Sequence, residues 1–320
     1  MSRISRACAV AAAVIVSLSS VSPAWAGPAL SSNSNAPVVA PARAQEGGAR
    51  VVVLGDSHTV GRNEPVYRDE RGCEHSYQSW PNLLKQKLGL RDDELVNTAC
   101  AGAALASGDG FWLPDEVRHA EALNALGPKT EQIFIQMGFN DLWGKGIATR
   151  ENVVKKGAEF AFQCLVNPTA GCGSDPVDSA LKRVYSPITT DAYVERLEPV
   201  VKYLRYYAPN AKISLVGYVE LAPNGANGVC FNVLGTNVTV PVWQWARNME
   251  HIDAAQRGAA ERLNLNFVDI RSTTAGHSSC SPRPWVRGVK DPRIPGEGEH
   301  SHASLEGERV ISDVILATVQ

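Results

Sequence analysis

From residue 50 onward the chain alternates between two patterns. Short apolar runs rich in branched residues occur at 51–55, 95–98, 132–137, 212–218 and 264–269 and predict strands. Around them, at 76–88, 115–126, 190–207, 242–263 and 304–319, apolar side chains return every three or four positions, which predicts helices. Over 190–207 the stripe is Tyr193, Leu197, Val200, Val201 and Leu204, and Pro209-Asn210 marks its end. Such a stripe is core. Strands alternating with helices predict an α/β chain: a three-layer α/β/α sandwich with a five-stranded parallel sheet, in one domain over 50–320.

Two stretches fit neither period. Residues 145–188 and 221–241 are rich in Pro, Gly, Asn and Cys and are expected to form excursions above the sheet, where loops shape substrate sites. Ahead of the domain, Arg3 and Arg6 precede an apolar stretch from Ala7 to Leu18 and the triplet Ala24-Trp25-Ala26. That is the layout of a secretory signal peptide over 1–26, cleaved after Ala26. Its apolar stretch is shorter than the roughly 20 residues that cross a bilayer. No later run matches it, so no integral membrane segment is expected. Residues 27–49, rich in Ala, Pro, Ser, Asn and Gly, read as a flexible leader.

With 320 residues, 44% of them hydrophobic and 20% charged, the chain can bury a large core. The net charge is -2 and basic residues form no block, so the footprint of a nucleic-acid binder is missing. Removing Cys8 with the signal leaves Cys73, Cys100, Cys164, Cys172, Cys230 and Cys280. An even set in an exported chain points to disulfides, with fifteen pairings open in principle. The expected pairing is sequential, 73 with 100, 164 with 172 and 230 with 280, because each pair then brackets one loop-rich insertion. Zinc-ligand spacing is absent.

Chemistry concentrates at strand ends. Val51-Val52-Val53-Leu54-Gly55-Asp56-Ser57-His58 runs a buried strand into Gly-Asp-Ser, which places Ser57 where ligands bind in open α/β sheets. Taken alone, Asp-Ser after a strand equally caps a helix. Asn97-Thr98-Ala99-Cys100-Ala101-Gly102 follows the second strand and offers a glycine N–H, and Gly138-Phe139-Asn140-Asp141 follows the third and offers a side-chain amide. Near the C-terminus, Glu299-His300-Ser301-His302-Ala303-Ser304-Leu305-Glu306-Gly307 puts His302 in the loop before the last helix. His58 reads as a surface turn residue or a pocket wall, and His277 as a loop residue.

Together, GDS, N-x-A-x-x-G, GxND and a terminal H-x-x-x-x-G resemble the four sequence blocks of the SGNH (GDSL) hydrolases. The resemblance implies a flavodoxin-like sheet, Ser57 as nucleophile, and Gly102 and Asn140 as oxyanion-hole donors beside the Ser57 N–H. It implies His302 rather than His300 as general base, since the family's H-P-N-x-x-G falls on His302 through Gly307. Here Ala303-Ser304 replaces Pro-Asn. Glu299 stands where the family commonly has Asp and is expected to orient His302, a backbone carbonyl being the alternative. The six cysteines, the Ser76-to-Pro81 spacing and Gly276 to Trp285 are similar to the secreted bacterial (actinobacterial-type) lipase/esterase branch. The implied partner is an acyl ester, lipid or small, with no metal or organic cofactor and a monomeric chain. The same acyl-enzyme would serve an acyltransferase or a carbohydrate O-deacetylase. A non-catalytic secreted binding module is the reading of another class, and the intact set of four residues argues against it.

Overall fold

The computed structural model describes residues 46–106, 111–141, 143, 188–240 and 243–319. The expected signal peptide, most of the leader, the 164–172 pairing and nearly all of the 145–188 excursion lie outside the described residues. In chain order the elements are β1 (Val51–Gly55), α1 (Ser57–Val60), β2 (Val66–Arg68), β3 (Glu74–Ser76), α2 (Trp80–Leu88), β4 (Leu95–Asn97), α3 (Leu113–Ala122) and β5 (Gln132–Gln136). There follow α4 (Thr190–Tyr207), β6 (Lys212–Val216), β7 (Val229–Val233), β8 (Thr236–Val240), α5 (Trp243–Arg262), β9 (Asn266–Val268), α6 (Ile270–Thr273) and α7 (Leu305–Val319).

The five runs expected as strands form one parallel sheet in the order β4-β1-β5-β6-β9. β1 is buried along its whole length. From β1 the chain steps to one side, to β4, and then crosses to β5 on the other, which opens a crevice at the carboxyl end of β1. Helix α2 packs on α7, while α4 packs on α5 and α3, completing three layers. The stripe of α4 is buried as expected, Tyr193, Leu197, Val200, Val201 and Leu204 included. Each such side chain contributes roughly 1.5–3 kcal/mol on burial. That more than offsets the ~3 kcal/mol cost of a proline, Pro199, inside the helix.

Three local expectations change. The helix expected from residue 76 begins at Trp80, because Glu74–Ser76 pairs antiparallel with Val66–Arg68; Ser79 then holds the N-cap position without a side-chain capping bond, and Pro81 sits in the first turn. Within 221–241 the chain forms a hairpin, β7 with β8, turning through Leu234 and Gly235 at φ 50° and 87°. Packing also starts before residue 50. The Gly47 carbonyl accepts from the Lys129 N–H at 2.9 Å, and buried Ala49 donates its N–H to the Ala125 carbonyl at 2.9 Å.

Two disulfides form as expected, Cys73–Cys100 across 27 residues and Cys230–Cys280 across 50. On a chain-entropy account they contribute about 3.5 and about 4 kcal/mol. The first fastens the β2–β3 hairpin to the loop leaving β4, and the second ties β7 to the segment after α6.

Candidate active site

Ser57 opens α1 at the carboxyl end of β1. The turn needs glycine at 55, where an added Cβ would lie 2.1 Å from Thr59 Oγ1 and 2.8 Å from the Gln136 carbonyl. Asp56 caps α1 by accepting the His58 N–H at 2.9 Å, which leaves the Ser57 hydroxyl unused by the cap. That hydroxyl meets His302 Nε2 at 2.8 Å, while His302 Nδ1 lies 2.9 Å from the His300 carbonyl. Since a carbonyl only accepts, Nδ1 carries the ring proton and Nε2 presents its lone pair to the serine. Between the two histidines, Ser301 adopts φ 63°, a left-handed residue that turns the His300 carbonyl back toward the ring.

The loop carrying His302 is pinned from two sides. The Arg287 N–H donates to the His302 carbonyl at 2.8 Å, and the Ser301 N–H to the Arg287 carbonyl at 2.9 Å. Asn63, just beyond α1, donates its side-chain amide to the Ala303 carbonyl at 3.0 Å and accepts from Arg287 Nε. Ser57 and His302 are 245 positions apart in sequence and are brought together by these contacts.

Gly102 lies in the loop after β4 at φ 80°, a conformation that favours glycine. Among the described residues, no protein acceptor occupies the N–H groups of Ser57 and Gly102. Asn140, after β5, donates one amide N–H to the Ala103 carbonyl at 3.0 Å, and among the described residues its second has no acceptor. The next residue, Asp141, accepts the Leu105 N–H at 2.7 Å, so the loops bearing Gly102 and Asn140 are bound to each other. The β5 loop is also tied to the serine turn: the Phe139 N–H donates to the Tyr218 hydroxyl at 3.2 Å, which donates to Asp56 Oδ2 at 2.6 Å. Burial pushes the Asp56 carboxyl up to about 7 against the opposing pull of the Tyr218 and His58 hydrogen bonds.

Glu299 is placed differently from its expectation. Its exposed carboxylate accepts from Arg62 Nε at 2.7 Å and makes no hydrogen bond to His302, whose Nδ1 faces the His300 carbonyl instead. Glu299 acts on His302 only through space: burial holds the imidazole below its usual pKa, and the nearby carboxylate charge partly opposes that. Nor is His58 a surface residue. It is 4% exposed, stacks on His302 with ring centroids 4.4 Å apart, and meets Tyr218 edge-on at 4.9 Å. Burial, reinforced by His302, keeps its pKa well below the usual histidine value, so it backs the neighbouring ring as a neutral group. His277 is a loop residue as expected, stacked on Trp285 at 3.5 Å. Asp56, Tyr218 and Asp141 escaped the sequence reading as supports of the site, because their partners are backbone groups or distant residues.

The arrangement can perform base-assisted acyl transfer. A hydroxyl donating to a neutral imidazole is the pair that makes serine a nucleophile, and N–H groups converging beside it can stabilise negative charge developing on a carbonyl oxygen.

Comparisons with known proteins bear on the family and the fold. Residues 53–310 match the model of the GDSL-like lipase/acylhydrolase family. Lipase 1 of Streptomyces coelicolor is 27% identical over 291 residues, covering 88% of this chain and 90% of that lipase. Among solved structures, phospholipase A1 from Streptomyces albidoflavus NA297 shares the fold at a TM-score of 0.56 and 17% identity, over 85% of this chain and 99% of that one. The extracellular lipase of Streptomyces rimosus does so at 0.56 and 19%, with the same coverage. The chain belongs to the GDSL-like lipase/acylhydrolase family and, with it, to the carboxylic-ester hydrolases.

Proposed function

We propose that the protein is a secreted serine esterase or lipase in which Ser57 and His302 form a dyad, with the His300 carbonyl holding the imidazole. The observation that carries this reading is the 2.8 Å contact from Ser57 Oγ to His302 Nε2, with Nδ1 committed to a carbonyl. In acylation His302 Nε2 takes the Ser57 proton as Oγ bonds to the acyl carbon, and the carbonyl electron pair moves onto oxygen. The Ser57 N–H, the Gly102 N–H and the free Asn140 N–H hold that oxyanion. Collapse breaks the bond to the alcohol, which leaves with the proton from His302. Water then repeats the sequence on the acyl-enzyme and releases the acid. Export is supported by the leader motif over 1–26 and by likeness to an enzyme described as an extracellular lipase. No helix among the described residues is long and apolar enough to cross a membrane.

The test is a set of initial rates on acyl esters from acetyl to long chain, with and without an alcohol acceptor, beside peptide mapping of a fluorophosphonate adduct. The expected result is ester hydrolysis, with the adduct on Ser57 and acid as the main product. A main product carrying the acyl group on the acceptor alcohol would make the protein a transferase, and an adduct on another residue would overturn the reading.

Glu299→Gln separates a dyad from a triad. An exposed ion pair such as that of Glu299 with Arg62 is worth about 0–1 kcal/mol, so its loss is expected to lower kcat less than about tenfold. The carboxylate favours the imidazolium, so removing it lowers the His302 pKa further, and the acid limb of kcat/KM is expected to move to lower pH. A fall of about 10⁴-fold, the loss seen when a triad carboxylate is neutralised, would restore Glu299 as third member.

A further inference from the structure

One buried carboxylate reaches the turns that carry two of the oxyanion donors. Glu116, in the first turn of α3, is 0% exposed. Its Oε2 accepts the Gly55 N–H at 2.8 Å, and its Oε1 accepts the Cys100 N–H at 3.0 Å. Gly55 stands two residues before Ser57, and Cys100 two residues before Gly102. The parallel ladder between β1 and β4 continues here through the Thr98 N–H to the Val53 carbonyl at 2.9 Å and the Cys100 N–H to the Gly55 carbonyl at 3.0 Å. The Gly55 N–H, however, goes to the carboxylate, and the Thr98 carbonyl accepts from Arg71 Nη2 at 2.9 Å. Glu116 is therefore wedged between the two strand ends just below the site.

We propose that Glu116 is a positioning residue that sets the spacing between the Ser57 and Gly102 N–H groups. This rests on the serine-hydrolase reading above. A buried carboxylate is a costly way to fill core space, several kcal/mol per ion before its hydrogen bonds are formed. Its benefit is two acceptors at a fixed separation: one on the Gly55 N–H, which would cost about 1–3 kcal/mol if left buried and unpaired, and one on the Cys100 N–H, which is shared with the Gly55 carbonyl. Burial drives the Glu116 carboxyl well above the usual carboxylate range, and the two N–H bonds, with the charge of Arg71, oppose that. An oxyanion hole works within a few tenths of an ångström, because donors must lie about 2.7–3.1 Å from the oxygen in the transition state. Cys100 is held on its other side by the disulfide to Cys73, so the loop bearing Gly102 has covalent and electrostatic anchors at one residue.

Glu116→Gln keeps the size but turns one arm into a donor facing a donor, which pushes one strand end away. Complete removal of a donor costs about 10²–10³ in kcat, so a displaced one is expected to cost about 10–100-fold, with KM within about twofold. Affinity for a trifluoromethyl ketone, which binds as a tetrahedral adduct, should weaken by the same factor. The pH of the acid limb should not move, because His302 is untouched. Val117→Ala, on the same helix and in the core, is the control: it should lower Tm while leaving kcat unchanged. The proposal is overturned if Glu116→Gln keeps kcat and ketone affinity within about twofold of the parent, or loses activity only as Val117→Ala does. It is equally overturned if neither Glu116→Gln nor Glu116→Asp folds, which would make Glu116 a folding residue. Fluorophosphonate mapping of the parent enzyme runs alongside. An adduct away from Ser57 defeats the serine reading itself, whereas a normal adduct with an unimpaired Glu116→Gln defeats only the role of Glu116.

Discussion

Ser57→Ala is expected to lower kcat by about 10⁶-fold and to abolish fluorophosphonate labelling while Tm stays within a few degrees of the parent. The loss is large because no other side-chain hydroxyl in the described residues contacts His302 Nε2. Stability should survive because the change removes one hydroxyl whose partner is that ring nitrogen. The cap of α1 belongs to Asp56, and the turn geometry to Gly55. Some acceleration over water, about 10³–10⁴-fold, should persist from the N–H donors alone. The measurements are kcat on a soluble acyl ester, adduct mass and thermal unfolding. A variant within tenfold of the parent would remove Ser57 from the chemistry.

His302→Ala should cost a comparable factor, and Ser57→Ala/His302→Ala should cost little more than either alone, since nucleophile and base act as a unit. Losses that add across the double variant would mean two independent roles. The backbone bond from the Arg287 N–H to the His302 carbonyl does not need the imidazole, so the loop is expected to keep its path. In the parent, protonated His302 cannot accept the serine proton. Burial lowers its pKa, so the acid limb of kcat/KM should lie below the ordinary histidine value of about 6.5.

The sheet was legible in the sequence because its strands are buried, unbroken apolar runs such as Val51–Gly55, and α4 because its stripe has a single period. The hairpins were not. Three-residue strands like Val66–Arg68 are too short to show alternation, and the β7–β8 turn puts Leu234, with no turn signature, in a left-handed conformation. In the site, Ser57, Gly102, Asn140 and His302 stood out because each lies in a short motif at a strand end or before a helix. The acceptor on His302 did not, since every residue has a carbonyl and only the backbone path through Ser301 aims that of His300 at the ring. Glu116 was equally hidden. Its sequence neighbours describe an ordinary first turn, and its meaning comes from two N–H groups 61 and 16 positions away.

The 245 positions that separate Ser57 from His302 also order the making of the protein. During translation the serine, the glycine and the asparagine leave the ribosome long before the base, whose loop is held by contacts to Asn63 and Arg287 and followed by α7, packed on α2. On the proposed dyad, a chain stalled or clipped ahead of residue 302 would carry Ser57 without the imidazole that takes its proton. If Ser57 and His302 act as proposed, hydrolysis begins only once residue 302 has been made and its loop has docked on Asn63 and Arg287.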